Sequence, residues 1–424
     1  MNAQRDNLFP TPGNSNPARI AKSVVVVLLT IVGLLPVVIA ARAGQYNSIA
    51  EDPISAFGLW GTFAIHMWIR PGRRESTLTV LLAVAMRVGY DLLIGEHGYL
   101  GSAIIGFGPF LGVSSLLALA AGTIVLRGEA RAIRGRTLAV CGLFFYIGVF
   151  LAFYISFARM ALPRKLDLYL YAFDNSLGFQ PSFTMGRLFR ASRPLLLTEA
   201  MVYNSLGLAF AVIYAVHANY PLRVPVNILK LLIANPIAGF SLYFCYPATG
   251  PKYAFPSFPA TPGLVHPAAL LIQGVPNAMP SLHFGGALLI FWLSRPWRWL
   301  RIASGVYLAM TALATLGLGE HYLIDLVVAV PYALALLAFI SDTGERRVPL
   351  VAGTLMVAFW LSFLHMNFFH PIASWVLVLG TVGACIALER RLALRMLAPQ
   401  PSDSPFASVE HRATRAPVLQ STGV

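Results

Sequence analysis

Apolar residues in this chain gather into a series of long runs, at roughly 20–41, 53–69, 76–94, 103–126, 137–157, 196–217, 227–246, 281–294, 299–318, 321–340, 349–366 and 371–388. A helix of about 20 apolar residues spans the hydrocarbon core of a bilayer. The pattern therefore predicts an all-α fold, a polytopic transmembrane helical bundle of about 12 spans, the eighth of them short. Two of the segments between runs are long, 158–194 and 246–280. In the first, basic residues alternate with Leu, Tyr and Phe, as in Leu166-Asp167-Leu168-Tyr169-Leu170-Tyr171. It reads either as an amphipathic helix lying at the interface or as a capping segment with snorkelling arginines. The second is rich in Pro and Gly. Irregular backbone at that depth must be buried in protein or line a wet cavity.

Composition agrees with this class: 57% of the 424 residues are hydrophobic and only 11% are charged. The formal net charge of +14 does not point to nucleic acid, because its arginines sit in short segments between runs. Arg70, Arg73, Arg74, Arg127, Arg131, Arg134, Arg136, Arg223, Arg295, Arg298, Arg346, Arg347, Arg390, Arg391 and Arg395 all fall on one side if both termini do. The short segments 95–102, 319–320 and 367–370 on the other side carry no Lys or Arg. The positive-inside rule makes the basic side cytoplasmic. The expected location is the plasma (cytoplasmic) membrane, with both termini cytoplasmic and anionic lipid headgroups as partners of the basic loops. Ala41-Arg42-Ala43 resembles a signal-peptidase site, but the run before it is long, so it reads as an uncleaved span. Cys141, Cys245 and Cys385 lie within runs and show no ligand spacing, so neither a disulfide framework nor a metal site is indicated.

On this topology three polar segments reach the side opposite the arginines. Lys252 follows the seventh run, Ser281 and His283 open the eighth, and His321 and Asp325 open the tenth. His321 and Asp325 are four apart, on one helical face, where a carboxylate can fix an imidazole's tautomer and raise its basicity. These residues suit phosphoryl transfer through a phosphohistidine. His321 attacks phosphorus, Asp325 steadies the cation that forms, and His283 exchanges protons with the departing and incoming oxygens. Ser281, Lys252 and the helix N-terminus behind Pro280 would cradle the phosphoryl oxygens. No cofactor or metal is required.

Pro280-Ser281-Leu282-His283 together with His321-Tyr322-Leu323-Ile324-Asp325 resembles the type 2 phosphatidic acid phosphatase superfamily, and most closely its inositol phosphorylceramide synthase-like (inositolphosphotransferase) branch. Tyr246-Pro247-Ala248-Thr249-Gly250-Pro251-Lys252-Tyr253 and Phe173-Asp174-Asn175-Ser176-Leu177-Gly178-Phe179-Gln180-Pro181 resemble the same branch. The resemblance covers 137–340 and implies a six-span phosphatase/phosphotransferase-like core with outer loops 158–194 and 246–280. The remainder is accessory spans at 20–136 and 341–398, with disordered tails at 1–19 and 399–424.

The resemblance implies the same roles for His321, Asp325 and His283, with phosphate contacts from Ser281 and Lys252. The phosphatase branch places an Arg six residues before the nucleophilic His, where this chain has Thr315, and the usual Lys-then-Arg-Pro motif is absent around Lys252. Arg187 and Arg193 are candidate substitutes, and Tyr322 is a further candidate phosphate or headgroup contact. These departures count against phosphomonoester hydrolysis more than against phosphodiester transfer.

The expected function is a metal-independent phosphotransferase or phosphatase of membrane lipid phosphates, acting at the outer leaflet. The choice between hydrolase and transferase, the lipid and the oligomeric state stay open. A multi-span lipid or solute transporter and a catalytically silent lipid-phosphate-binding relative are the alternatives. Outside the motifs, Arg87 and Asp91 read first as a buried ion pair and second as the lining of a passage. His66, His97, His217, His266 and His411 read as structural, and His365 and His370 as interfacial.

Overall fold

The computed structural model describes residues 53–93, 105–219, 226–263 and 265–397, together with Val38 and Arg42. Expectations for the first run and both tails fall outside these residues, apart from those two positions. So do the whole 95–102 segment with His97, and also Arg223 and His411.

Among the described residues the apolar runs form helices. They are α1 (Pro53–Trp68), α2 (Arg73–Leu93), α3 (Gly108–Val125) and α4 (Gly128–Ala161). After a two-residue strand β1 (Arg164–Lys165) come α5 (Asp167–Ser176), α6 (Pro181–Ala191), α7 (Arg193–Asn204), α8 (Leu206–Asn219), α9 (Ile228–Cys245) and the single turn α10 (Pro251–Ala254). Strand β2 (Leu270–Leu271) pairs antiparallel with β1. The chain closes with α11 (Leu282–Leu293), α12 (Arg298–Gly317), α13 (Leu323–Ile340), α14 (Arg347–Met366) and α15 (Pro371–Leu397).

By length and composition, seven helices among the described residues can cross a membrane, or eight if the pair Arg193–Asn204 and Leu206–Ala218, bent by 49°, makes one span. The protein is thus a helical, membrane-integral chain. The run at 281–294 yields only 12 helical residues, about 18 Å of axis against a hydrocarbon core of about 30 Å. Its start is set by the Ser281 cap and its end by the turn before Pro296.

Helix α13 is the hub. Its sequence is apolar on every side except Asp325, which is the signature of a helix buried all round, and its residues are buried along nearly the whole length. Helices α9, α11, α14, α15 and α5 pack around it, and α12 packs on α11, α6 and α7. The N-terminal group α1–α4 docks onto this body through α1 against α8.

Ion pairs mark one end of the bundle. Arg295 pairs with Glu389, Arg391 and Arg395 with Glu345, and Lys230 with Asp342. The Arg-bearing ends of α9, α11, α13, α14 and α15 therefore lie together, and the N-termini of α11 and α13 lie at the opposite end.

The 158–194 segment departs from a surface-lying helix. In α5, Asp167, Leu168, Leu170, Tyr171, Phe173 and Asp174 are all buried. The Pro-Gly segment is also packed inward, with Tyr246, Thr249, Phe255, Phe258, Ala278 and Met279 buried. That satisfies the need of irregular backbone for protein cover at this depth. Cys141 and Cys385 are buried and Cys245 is exposed, and all three are free.

Candidate functional site

The two histidine motifs meet through backbone. Ser281 caps α11: its Oγ accepts the Phe284 N–H at 3.3 Å, using a first-turn amide that the helix leaves unpaired. Its own N–H donates to the backbone carbonyl of Asp325 at 3.2 Å. That bond fastens the start of α11 to the first turn of α13.

His321 sits in the turn between α12 and α13 and is almost completely buried. Its N–H donates to Thr315 O at 3.1 Å, and its carbonyl accepts the Ser182 hydroxyl at 2.7 Å. Both chain groups being held, the imidazole has a defined direction. Nδ1 lies 2.9 Å from Ala278 O. A carbonyl can only accept, so Nδ1 carries the proton, and Nε2, buried without a partner, presents its lone pair. Burial drives the His321 pKa down to about 4, with Lys252 adding to the fall and Glu320 and the Ala278 carbonyl opposing it.

Asp325 stands beside this ring, its Oδ2 at 3.5 Å from Nδ1. The expected hydrogen bond between them is replaced by two others. Oδ2 accepts the Tyr322 N–H at 2.7 Å, because a carboxylate in the third helical position folds back on the N-cap amide. The Ala278 carbonyl takes the imidazole proton. Oδ1 of Asp325 is buried and unpartnered.

His283, in the first turn of α11, stacks on the Tyr203 ring at 3.8 Å between centroids and 17° between planes. It lies within electrostatic reach of His321. The structure thus brings His321, Asp325, Ser281 and His283 to one end of α11 and α13.

Lys252 reaches the same place by a close approach of two loops. Gly250 has φ +93, and a Cβ there would stand 2.1 Å from the Glu320 carbonyl oxygen. Gly319 has φ +71, and a Cβ there would meet the Phe258 ring at 2.7 Å. Only glycine meets both the left-handed backbone and the tight packing at these points. With the loops so close, the Lys252 N–H donates to Gly319 O at 3.0 Å and its ammonium pairs with Glu320. Burial pulls the Lys252 pKa down, but the Glu320 charge outweighs it and the net movement is up.

Arg187 and Arg193 stay exposed on α6 and α7. Arg187 donates to Thr261 Oγ1 at 2.9 Å and to Thr184 Oγ1 at 3.3 Å. Among the described residues neither arginine is hydrogen-bonded to His283, His321 or Lys252. Tyr322 is fully buried and its hydroxyl donates to Asp167 Oδ1 at 3.1 Å. Thr315 is also fully buried, its hydroxyl donating to Ala312 O at 2.9 Å.

Two acids on α5 organise the site and were not singled out from sequence. Asp167 accepts the N–H groups of Thr249 and Gly250, at 3.1 and 2.8 Å, besides the hydroxyls of Thr249 and Tyr322. It thereby locks the loop that carries Lys252 to the residue after His321. Burial pushes its pKa up to about 6 against these four donors. One helical repeat later, Asp174 accepts the N–H of Leu323 at 2.7 Å and of Ile324 at 3.1 Å. It caps α13 from another helix, and burial raises its pKa well above the carboxylate range. The available signal was their spacing: seven residues apart, they share one face of α5, and that face is the apolar one.

Among the described residues no three His, Cys, Asp or Glu side chains converge as a metal ion would require. Elsewhere, His66 bonds Glu75 at 3.0 Å beside Arg134, and His217 bonds Leu293 O at 3.1 Å, both within packed protein. Arg87 and Asp91 form the i,i+4 pair at 2.7 Å, with Asp91 half exposed.

No curated protein and no solved structure matches the chain. Residues 168–339, less than half of the chain, match the family model of the PAP2 superfamily. That segment runs from α5 to the last turn of α13 and holds His283, His321, Asp325, Ser281, Lys252, Tyr322, Arg187 and Arg193. The segment is thus similar to that superfamily, and the likeness suggests phosphatase or phosphotransferase activity on phosphate-bearing substrates.

Proposed function

We propose that the protein is a phosphotransferase or phosphatase of lipid phosphates that works through a covalent phosphohistidine at the outer leaflet, with both termini cytoplasmic. One observation carries the reading: a buried, neutral imidazole whose Nδ1 proton is given to Ala278 O and whose Nε2 has no partner. His66 also keeps one buried nitrogen bare, but it is tied to Glu75 beside Arg134, whereas His321 shares its end of the bundle with His283, Ser281 and Asp325. In that company a bare imidazole lone pair can act as a nucleophile.

In the first step Nε2 of His321 bonds to phosphorus as the phosphorus–oxygen bond of the leaving group breaks, and protonated His283 gives its proton to that oxygen. In the second, water or an acceptor alcohol attacks the phosphohistidine and returns the proton to His283, freeing His321. Phosphorylation places positive charge on the ring. The Asp325 carboxylate, 3.5 Å from Nδ1, offsets that charge without holding the tautomer itself. The Ser281 hydroxyl, whose oxygen accepts from Phe284, keeps its proton for a phosphoryl oxygen, and Lys252 supplies charge from the Glu320 pair. Tyr322, engaged with Asp167, braces the turn. The substitution of Thr315 for a phosphate-binding arginine favours transfer of a diester headgroup, such as phosphoinositol, over monoester hydrolysis.

The test is turnover of a lipid-phosphate panel by purified protein. His321→Ala should lose at least about a thousandfold in rate, with the folded fraction checked by size exclusion, and vanadate should block the wild type. Turnover by folded His321→Ala at the wild-type rate would remove the proposal. Release of diacylglycerol or ceramide alongside a new phospholipid marks a transferase, and release of inorganic phosphate marks a phosphatase.

A further inference from the structure

An apolar cavity of about 160 Å³ begins at His283 and runs down into the bundle. Its polar lining gathers at the site end, where His283, Asn277, Tyr203 and Tyr243 meet it, and Asn277 Oδ1 is buried without a partner. Below them the wall is apolar, apart from Asn235, whose side-chain oxygen accepts the Tyr332 hydroxyl at 3.0 Å. Along α9 the lining positions run from Leu231 to Tyr243, about 18 Å of helix axis. The cavity's volume matches that of a cavity that binds benzene, so it has room for about the first six carbons of a chain and not for one a whole leaflet long.

Two of its walls come from outside the segment that matches the PAP2 superfamily. Helix α1 supplies Ile54 and Gly58, and α4 supplies Phe144, Ile147 and Ile155. Helix α1 is pressed against α8 at backbone contact: a Cβ on Gly207 would stand 3.1 Å from the Gly58 Cα, and one on Gly61 would stand 2.9 Å from the Ala211 Cβ. A side chain on Gly207 or Gly61 would push the two helices apart. Gly58 differs. A Cβ there meets nothing closer than the Phe144 carbonyl at 4.0 Å, so its open side faces unfilled volume.

We infer that this cavity takes the first few carbons of one hydrocarbon chain of the phosphate-bearing substrate, and that α1 and α4 close it. This rests on the lipid-phosphate reading of the site. The apolar wall offers water too few partners to hold it, whereas a hydrocarbon chain fills it without unmet hydrogen bonds. A phosphate held between His321 and His283 puts its chain at the cavity mouth. On this inference the helices outside the matched segment complete the subsite for the start of the substrate's chain.

The experiment uses the full-length protein and two substrates, dihexanoyl phosphatidic acid and glycerol 3-phosphate, which carries no chain. Gly58→Leu extends a side chain into the cavity and should lower kcat/KM for the dihexanoyl lipid about tenfold, with glycerol 3-phosphate within about twofold of wild type. Phe144→Ala, which widens the cavity, should move the ratio the other way. Equal losses on both substrates, or an unchanged ratio in both variants, would overturn the inference.

A binding readout keeps the question open to decision even if neither substrate is turned over, a result that would count against the catalytic reading alone. Dihexanoyl phosphatidic acid with a photoreactive group at its chain end should label α1 or α4. Labelling should weaken in Gly58→Leu and exceed that by phosphatidylcholine carrying the same group. No label on α1 or α4, or equal labelling by both lipids, would mean that bulk membrane lipid or nothing fills the space.

Discussion

The two ends of α13 are built from opposite chemistry. At the N-terminus the helix amides are met by the buried carboxylates of Asp174 and Asp325, and two ionisable groups there keep an atom unpartnered, His321 Nε2 and Asp325 Oδ1. At the C-terminus, charges on neighbouring helices pair with one another: near the surface Glu345 with Arg391 and Arg395 and Lys230 with Asp342, and in the interior Arg295 with Glu389. Exposed pairs anchor an end cheaply and are worth little each. Buried carboxylates are expensive unless every donor is in place. Glu389 at least has the Arg295 guanidinium paired with it, whereas Asp174 and Asp325 are met by helix amides alone, so their end is one where something other than stability is being held ready.

The sharpest way to break this contrast is to remove one acid from each end. Asp174→Ala strips the buried acceptor from two first-turn amides of α13, and an unmet buried amide costs about 1–3 kcal/mol. Thermal unfolding in detergent should show a loss of at least about 2 kcal/mol, and turnover should fall with it as the His321 turn loosens. Glu345→Ala should change unfolding by less than about 1 kcal/mol. If the two variants lose equal stability, the ends do not differ in the way argued.

A subtler measurement concerns protons. The His321 ring is kept neutral by burial, with its pKa lowered to about 4, and the nucleophile is lost only on protonation. The acid limb of kcat/KM, which reports the free enzyme, should therefore lie below the ordinary imidazole range, nearer pH 4 than 6.5. A limb at 6.5 would mean that the ring is solvated, and the closed-site picture would go.

Stability is a poorer gauge of the same group. Between about pH 6.5 and 4 the unfolded chain protonates this histidine and the folded one does not, so stability falls as pH drops. Asp167 does the reverse. Its folded pKa is raised to about 6, so below that pH the folded chain binds a proton that the unfolded chain takes up only near 4, and stability rises as pH drops. The two trends oppose each other. Asp167→Asn should remove its share of the rise and make the net fall steeper, with Asp174, also raised by burial, still opposing it.

What was legible in the sequence follows the range over which each feature is encoded. The runs at 227–246, 299–318, 321–340 and 349–366 gave α9, α12, α13 and α14 because span hydrophobicity is local. His283 and His321 were legible because each heads such a run, and the alternation of runs put both at one end. Asp167 and Asp174 were passed over because their partners, the amides of 249–250 and 323–324, lie far along the chain. An acid between leucines looks like surface until its acceptor role is seen. The Glu320 partner of Lys252 was missed for the same reason. It depends on Gly250 and Gly319 letting two loops touch. The Asp325–His321 spacing was read correctly as one face of a turn, yet local capping pulled the carboxylate to the Tyr322 amide, leaving Ala278, a residue with no polar side chain to notice, to hold the ring.

The smallest expected effect sharpens the comparison from the other side. Arg391 and Arg395 are about two-thirds exposed, at 67% and 63%, and each lies 3.1 Å from Glu345. Replacing both by Gln removes two charges and two exposed pairs. In detergent the unfolding midpoint should move by no more than a degree or two, since each pair contributes well under about 1 kcal/mol, and turnover of a lipid phosphate should not change. In liposomes the expectation differs. If this end meets the cytoplasmic leaflet, its arginines interact with anionic headgroups at about 1 kcal/mol apiece near the surface, and their loss should weaken the dependence of activity on anionic lipid content. A double variant that is silent in detergent and sensitive to lipid charge in liposomes would make the basic end a membrane anchor. One that loses activity in detergent as well would tie the two ends of α13 together energetically, and the division of labour between them would have to be abandoned.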